Sequence, residues 1–327
     1  MGTKLKNKIT IVTSRLYSIY DWRFYKNIIT RSRLNKTTRG PSAVSSSLIR
    51  GFSSLGQSFQ LNPPVEFLSG RIIVLSSVDG LDQVLKYKSN NSLVLAGPNL
   101  VVFPSEIKEQ LTSTKVNKVI VNCDWTYNFY AIDLPEIMSK LKIWPAGVDV
   151  NYWLPINREQ KVEILFYIKD NPDSLVKESI EYVESLSYQV NIIKYGQYQL
   201  DEFKSALNRA KLAVFFSQSE SQGISLLEAW AMDVPTLVWN PGSLKLKIDK
   251  NIDIKVTTSS APYLTPQTGE YFTDIDEFKT VFIQSSDELK FAPRDWVVNN
   301  MTDIICARKI INEFRLLEKE ISISYMV

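Results

Sequence analysis

The feature that most constrains this chain is an alternation that runs twice along it. In the first half, short β-branched runs recur: "KITIVTS" (Lys8 to Ser14), "RIIVLSS" (Arg71 to Ser77), "SLVLAGP" (Ser92 to Pro98), "KVIVNC" (Lys118 to Cys123) and "LKIWPAG" (Leu141 to Gly147). Helix-like segments such as "DGLDQVLKYK" and "DLPEIMSKLK" lie between several of them. After "GVDVNYWLPINREQK" the pattern restarts: "VEILFYI", "QVNIIKY", "LAVFFS" and "PTLVWN" read as strands, and "SLVKESIEYVESL", "LDEFKSALNRA" and "SLLEAWAM" as helices. Apolar strands without a polar face belong to parallel sheets covered by helices on both sides.

The expectation is therefore an α/β protein with two Rossmann-like domains, residues 1–150 and 151–293, joined by the polar stretch from Asn151 to Lys161. A length of 327 residues agrees with two domains of about 150 each. The tail, residues 294–327, reads as amphipathic helices that pack back on the first domain, with Asn299, Asn300, Thr302 and Asp303 offering a break and a fresh N-cap.

Composition removes several chemistries. The chain has no histidine, which excludes Ser-His-Asp and Cys-His nucleophilic machinery. Cys123 and Cys306 stand far apart, outside any disulfide framework or zinc pattern. No apolar run reaches the ~18 residues of a membrane span, and the N-terminus lacks a signal-like stretch, so a cytoplasmic protein is expected. The first 50 residues hold Lys4, Lys6, Lys8, Arg15, Arg23, Lys26, Arg31, Arg33, Lys36, Arg39 and Arg50 against the single acid Asp21. That basic segment suits a solvated loop, or peripheral contact with an anionic membrane. No recognisable nucleic-acid module accompanies it, so a nucleic-acid partner is not expected.

Candidate chemistry concentrates in "FFSQSESQGISLLEAWAMDVPTL" (Phe215 to Leu237), which runs from a strand through a loop into a helix. In α/β domains, ligands sit at such strand ends. Gly223 removes a side chain at the turn, and the amides of Ile224, Ser225 and Leu226 would face an anion. Glu220 and Glu228 flank that turn, and carboxylates accept hydrogen bonds from vicinal hydroxyls, so a nucleoside diphosphate sugar fits both features. The plain alternative is a Ser225-x-x-Glu228 capping box beside an exposed loop acid at Glu220.

The spacing Glu220-x-x-Gly223-x-x-x-x-Glu228-Ala229-x-Ala231-x-x-x-Pro235 resembles the paired-glutamate motif of the retaining, family 4-like GT-B glycosyltransferases (glycosyl transferases group 1). "KIWPAGVDVNYWLP" is similar to that family's link into the second domain, "VIVNCDWTYNFY" to the strand and turn before it, and "GPSAVSSSLIRGFSSLG" to the glycine loop and first helix of the acceptor-side domain. The resemblance implies a GT-B fold, with two Rossmann-like domains facing across a cleft, and a hexosyltransferase-like enzyme that acts with retention. Glu228 would bind the ribose, Glu220 the donor sugar, and Gly223, Ile224 and Ser225 the diphosphate or sugar. Lys169 and Lys177 would supply the cations, and Tyr195, Gly196 and Tyr198 would lie near the base. Gly40, Pro41 and Ser42 would form the acceptor-side loop.

The partners so implied are a nucleotide sugar and a carbohydrate or lipid-linked acceptor, with no cofactor and no essential metal. Asp274-x-Asp276 superficially matches a metal-binding acidic motif, but Asp274 followed by Glu277 reads as a helix N-terminus. The chain departs from the family pattern in lacking its Gly-Arg pair and any histidine, which motivates an alternative: a catalytically inactive GT-B-like protein that binds glycan or nucleotide sugar.

Overall fold

The computed structural model describes residues 8–23, 41–156, 162–170, 172–249, 252–285 and 291–324. It divides into two compact units, one of residues Met1–Gly147 with Asp303–Val327 and one of Val148–Thr302. No helix among the described residues is long and apolar enough to cross a membrane.

Unit 1 is built on β1 (Ile9–Val12), β2 (Phe59–Leu61), β3 (Arg71–Val74), β4 (Leu93–Ala96), β5 (Lys118–Val121) and β6 (Leu141–Ile143), in the order β2-β1-β3-β4-β5-β6. All its pairings are parallel. The central strands β1, β3 and β4 are buried at every position, Thr10 and Arg71 included, as in parallel sheets covered on both faces. Its helices are α1 (Pro41–Ser54), α2 (Val78–Tyr87), the short α3 (Lys108–Thr112) and α4 (Asp124–Asp133). The segment read as a turn after "VIVNC" is in fact the helix α4. Cys123 caps it through a backbone bond to Thr126 Oγ1 at 3.1 Å, and its aromatic-rich sequence hides the helical period. "DLPEIMSKLK" forms a 3-10 turn at Pro135–Lys140 before β6.

Unit 2 holds β7 (Glu163–Ile168), β8 (Gln189–Lys194), β9 (Ala210–Phe216), β10 (Thr236–Trp239), an antiparallel hairpin of β11 (Ser243–Asp249) and β12 (Ile252–Thr257), and β13 (Gly269–Phe272). Its helices are α5 (Asp173–Ser185), α6 (Leu200–Arg209), α7 (Ile224–Ala231), α8 (Ile275–Ser285) and α9 (Pro293–Asn300). The sheet order is β13-β10-β9-β7-β8, all parallel. Successive side chains of β7 and β9 serve opposite faces. Phe166 and Phe216 stack at 6.2 Å in a core that includes Val176 and Val183 of α5 and Phe278 and Phe282 of α8. Tyr167 and Phe215 stack at 4.8 Å, and Phe203 of α6 meets Tyr167 at 5.4 Å.

The tail divides between the units. The helix α9 lies in unit 2, where Trp296 meets Trp230 of α7 edge-on at 5.6 Å. The final helix α10 (Asp303–Ser324) belongs to unit 1 and packs on α1. A Cβ on Gly51 of α1 would fall 2.5 Å from Ala307 Cβ and on the Asp303 carbonyl, so only glycine admits this approach. Arg50 grips Asp303 with two hydrogen bonds, at 2.6 and 3.2 Å, and Trp144 Nε1 donates to the Cys306 carbonyl at 2.8 Å.

Candidate functional site

In unit 2 the chain adds β8 on one side of β7 and then β9 on the other, so the strand order reverses between β7 and β9. Loops that diverge at such a point leave a crevice at the carboxyl ends of the strands. Two segments meet there: Lys169 and Asp170 after β7, and Ser217 to Gly223 after β9. The backbone amides of Lys169 and Asp170 both donate to the Phe216 carbonyl, at 2.9 and 3.1 Å, and Asp170 Oδ2 accepts from the Gln218 amide at 2.7 Å.

That scaffold aims Lys169 Nζ at Glu220 Oε1, 2.8 Å away. Ser217 Oγ donates to the same oxygen at 3.0 Å, and the Glu220 amide donates to the Ser259 carbonyl at 2.9 Å. Glu220 is thus a half-buried, fixed carboxylate rather than an exposed loop acid. Burial opposes the Lys169 charge, but the Glu220 carboxylate and its hydrogen bond outweigh burial and raise the lysine above its ordinary pKa. Lys169 is therefore a committed cation. Its ammonium also lies 5.5 Å from the centroid of the Tyr195 ring.

The next element corrects one expectation. The helix α7 begins at Ile224, its N-cap is Gly223, and Ser225 is already inside the first turn, so the Ser225–Glu228 capping box does not form. Gly223 adopts φ 57° and ψ 42°, a left-handed conformation that costs glycine least, and supplies no side-chain cap. Ser225 Oγ donates to Tyr167 Oη at 3.2 Å, and Tyr167 Oη lies 3.3 Å from Tyr198 Oη. With its serine tied to β7, the helix keeps its leading amides clear of a side-chain cap. The far end of α7 is anchored by Arg294, whose guanidinium donates to the Ala231, Trp153 and Val150 carbonyls.

Glu228 lies one turn into α7, close enough to Tyr152 to disfavour its ionisation. Burial first, then the hydrogen bond from Tyr152 Oη to Asp201 Oδ1 at 2.8 Å and the charges of Asp201 and Glu228, push that phenol up to about 12.

The structure joins Lys169 to Glu220 by a hydrogen bond and to the Tyr195 ring, and Gly223, Ile224 and Ser225 follow Glu220 at the start of α7. Lys177, on α5, lines one cavity with Lys169 and Tyr195 and is largely exposed, 3.6 Å from Glu181 Oε1. Gly196 is exposed at φ 79° in the turn after β8, whereas Tyr198 is buried with its hydroxyl 3.3 Å from Tyr167 Oη. Gly40 lies outside the described residues, as do residues 24–39 of the basic segment; Pro41 opens α1 and Ser42 is exposed on it. Asp274 caps α8 by accepting from the Asp276 and Glu277 amides at 3.0 and 2.9 Å. Sequence reasoning missed Tyr167, Asp170, Ser217 and Arg294, although a tyrosine inside the buried run "ILFYI" signals a hydroxyl that must find a partner. Among the described residues no group of three or more His, Cys, Asp or Glu side chains comes together to hold a metal ion.

Comparison with known proteins bears on the fold. No curated protein matches the chain in sequence. Among solved structures, the galactosyltransferase WaaB of the lipopolysaccharide outer core superposes with a TM-score of 0.53 at 12% identity, covering 95% of this chain and 99% of that one. Anabaena HepE, solved with UDP-glucose, gives 0.52 at 8% identity over 94% of this chain and 99% of that one. S. aureus TarM, solved with fondaparinux, an alpha-GlcNAc-glycerol and UDP, gives 0.50 at 15% identity over 74% of this chain; the match spans 55% of the longer TarM chain. The fold is GT-B, and the sequence profile of the glycosyl transferases group 1 family matches residues 154–252, the stretch that carries Lys169, Glu220 and Glu228.

Proposed function

We propose that this protein is a glycosyltransferase whose second unit binds a nucleoside diphosphate sugar. The observation that carries the reading is the Lys169–Glu220 pair at the strand-order reversal, beside a helix start without a side-chain cap. Its setting within the matched family segment, and the UDP and UDP-glucose held by similar folds, support it. Glu228 receives the ribose hydroxyls, the leading amides of α7 and the Lys169 ammonium receive the diphosphate, and Glu220 orients the sugar.

In this reading, the bond from the anomeric carbon to the diphosphate oxygen breaks as the acceptor hydroxyl approaches, and the departing phosphate takes the acceptor proton. The products are a glycoside, with configuration retained, and the nucleoside diphosphate. A proton acceptor supplied by the substrate suits a chain without histidine. The protein contributes positive charge and fixed dipoles where negative charge grows, with no metal required. The acceptor is a carbohydrate or lipid-linked hydroxyl. A second reading, a protein that binds nucleotide sugar without transferring it, draws on the lysine that stands where the family pattern has arginine, because lysine offers one point charge and not a bidentate fork.

Transfer assays over a panel of UDP-, GDP-, ADP- and CMP-linked sugars test the proposal. Glu220→Gln is expected to lower the transfer rate roughly a hundredfold. An unchanged rate would remove Glu220 from the site, and donor binding without any product would favour the second reading.

A further inference from the structure

The loop that carries Glu220 leans on a second turn, residues 259–262, which follows the hairpin β11–β12. The Ser259 carbonyl accepts from the Glu220 amide at 2.9 Å, and Ser260 Oγ donates to the Gln218 carbonyl at 3.3 Å. Pro262 packs beside Gly223, its Cδ 3.5 Å from where a Cβ on that glycine would stand. A loop braced in this way is only as fixed as the turn behind it.

The turn takes its own supports from the sheet. Asn240, just after β10, accepts through Oδ1 from the Ser260 amide at 3.2 Å. Tyr271 of the edge strand β13 donates its hydroxyl proton to the Ala261 carbonyl at 2.5 Å, and the same oxygen lies 3.0 Å from Ser259 Oγ. A phenol has one proton, and Tyr271 gives it to Ala261, so Ser259 Oγ donates to Tyr271. Ser259 Oγ accepts in turn from the Ala261 amide at 3.1 Å, which closes the network across the turn. The register of β13 is pinned: Val238 of β10 pairs with Tyr271, Phe272 is buried against Phe216 at 5.6 Å, and a Cβ on Gly269 would fall 1.9 Å from the Thr236 carbonyl oxygen. Tyr271 therefore leaves the strand on the face opposite Phe272, toward the turn.

We propose that Tyr271 is a positioning residue for Glu220: by clamping residues 259–261 it sets where that carboxylate stands relative to the donor sugar. The proposal rests on the donor-site reading above and adds to it a residue beyond the stretch, 154–252, that the family profile matches. Tyr271 acts through the turn and not on the reacting atoms. Because its side chain is at the surface, 37% exposed, loss of the hydroxyl leaves the turn's polar groups to water and loosens the brace without opening the core.

Tyr271→Phe keeps the ring on β13 and removes only the hydroxyl. Transfer kinetics with the nucleotide sugar that the donor panel identifies, hydrogen exchange of the Glu220 amide and urea midpoints are measured on the same protein. The kcat is expected to fall about tenfold while affinity for the nucleoside diphosphate changes less than about twofold, since Lys169 and the α7 amides hold that part of the donor. Exchange of the Glu220 amide is expected to quicken about tenfold. Ser259→Ala removes the same bond from its other side and is expected to reproduce both effects, which keeps the test decisive should Tyr271→Phe fold poorly. Added to Glu220→Gln, Tyr271→Phe is expected to lower transfer by no more than about twofold further, because both changes act through one carboxylate. A purely structural tyrosine would lower the urea midpoint and leave kcat unchanged. Unchanged kcat, or a full tenfold loss on top of Glu220→Gln, would overturn the proposal and leave the donor reading standing. A wild-type chain that binds and transfers no nucleotide sugar would overturn the donor reading, and this proposal with it.

Discussion

Among the ion pairs that join distant parts of the sequence, one in each unit shows a difference in kind. Arg50 and Asp303 in unit 1 form a two-point fork between α1 and α10, with the aspartate only 9% exposed. Lys169 and Glu220 in unit 2 share a single contact at the mouths of two strands, with side chains 29% and 20% exposed. The fork fixes two helices whose backbones nearly touch at Gly51, so its carboxylate has no room to change partner. The second pair joins two loops at the strand-order reversal, where the proposed donor would sit, and a single lysine contact is one that phosphate oxygens could replace. Both are cation and carboxylate, and the proposed function asks only the second to give way to a ligand.

Mutations sharpen that contrast. The largest effect is expected from Gly51→Ala, which forces a methyl group onto the Asp303 carbonyl and Ala307 and lowers stability by about 3 kcal/mol in urea unfolding. Arg50→Met leaves the Asp303 carboxylate without its fork and is expected to cost about 2 kcal/mol, less than a fully buried pair because the arginine is partly exposed. A loss near zero would place the two pairs in one class. Tyr167→Phe removes the hydroxyl between Ser225 and Tyr198 and is expected to cost about 1 kcal/mol of stability, read from the same unfolding curves.

The same contrast shows what was legible in the sequence. Strand cores such as "RIIVLSS" and "VEILFYI" declared themselves by continuous apolar runs, and the break at Met301 and Thr302 followed from the polar residues around it. The helix α4 did not, because "DWTYNFYAID" spreads its aromatic residues around the axis. The hairpin β11–β12 was overlooked although Leu244, Leu246, Ile254 and Val256 alternate with polar residues on its two strands. At the candidate site, the spacing of both glutamates and the glycine fitted a capping box as well as a ligand turn, and the resemblance to a family motif singled them out. The role of Ser225 was not legible, since a local capping pattern gave way to a hydroxyl from β7, a partner 58 residues away in sequence. Arg294 was illegible for a similar reason: its partners are backbone carbonyls more than 60 residues distant. Long-range partners of this kind leave no local period to read.

The central claim is that Lys169 and Glu220 form a ligand site and not a clamp. Its most direct test is Lys169→Met, with nucleoside diphosphate affinity and unfolding free energy measured on the same protein. Charge-assisted contacts contribute about 1.5–3 kcal/mol, so affinity is expected to fall about tenfold or more. Stability should change by less than about 1 kcal/mol, as for a partly exposed single-contact pair. Unchanged nucleotide affinity together with a large loss of stability would contradict the account and make this pair a second Arg50–Asp303.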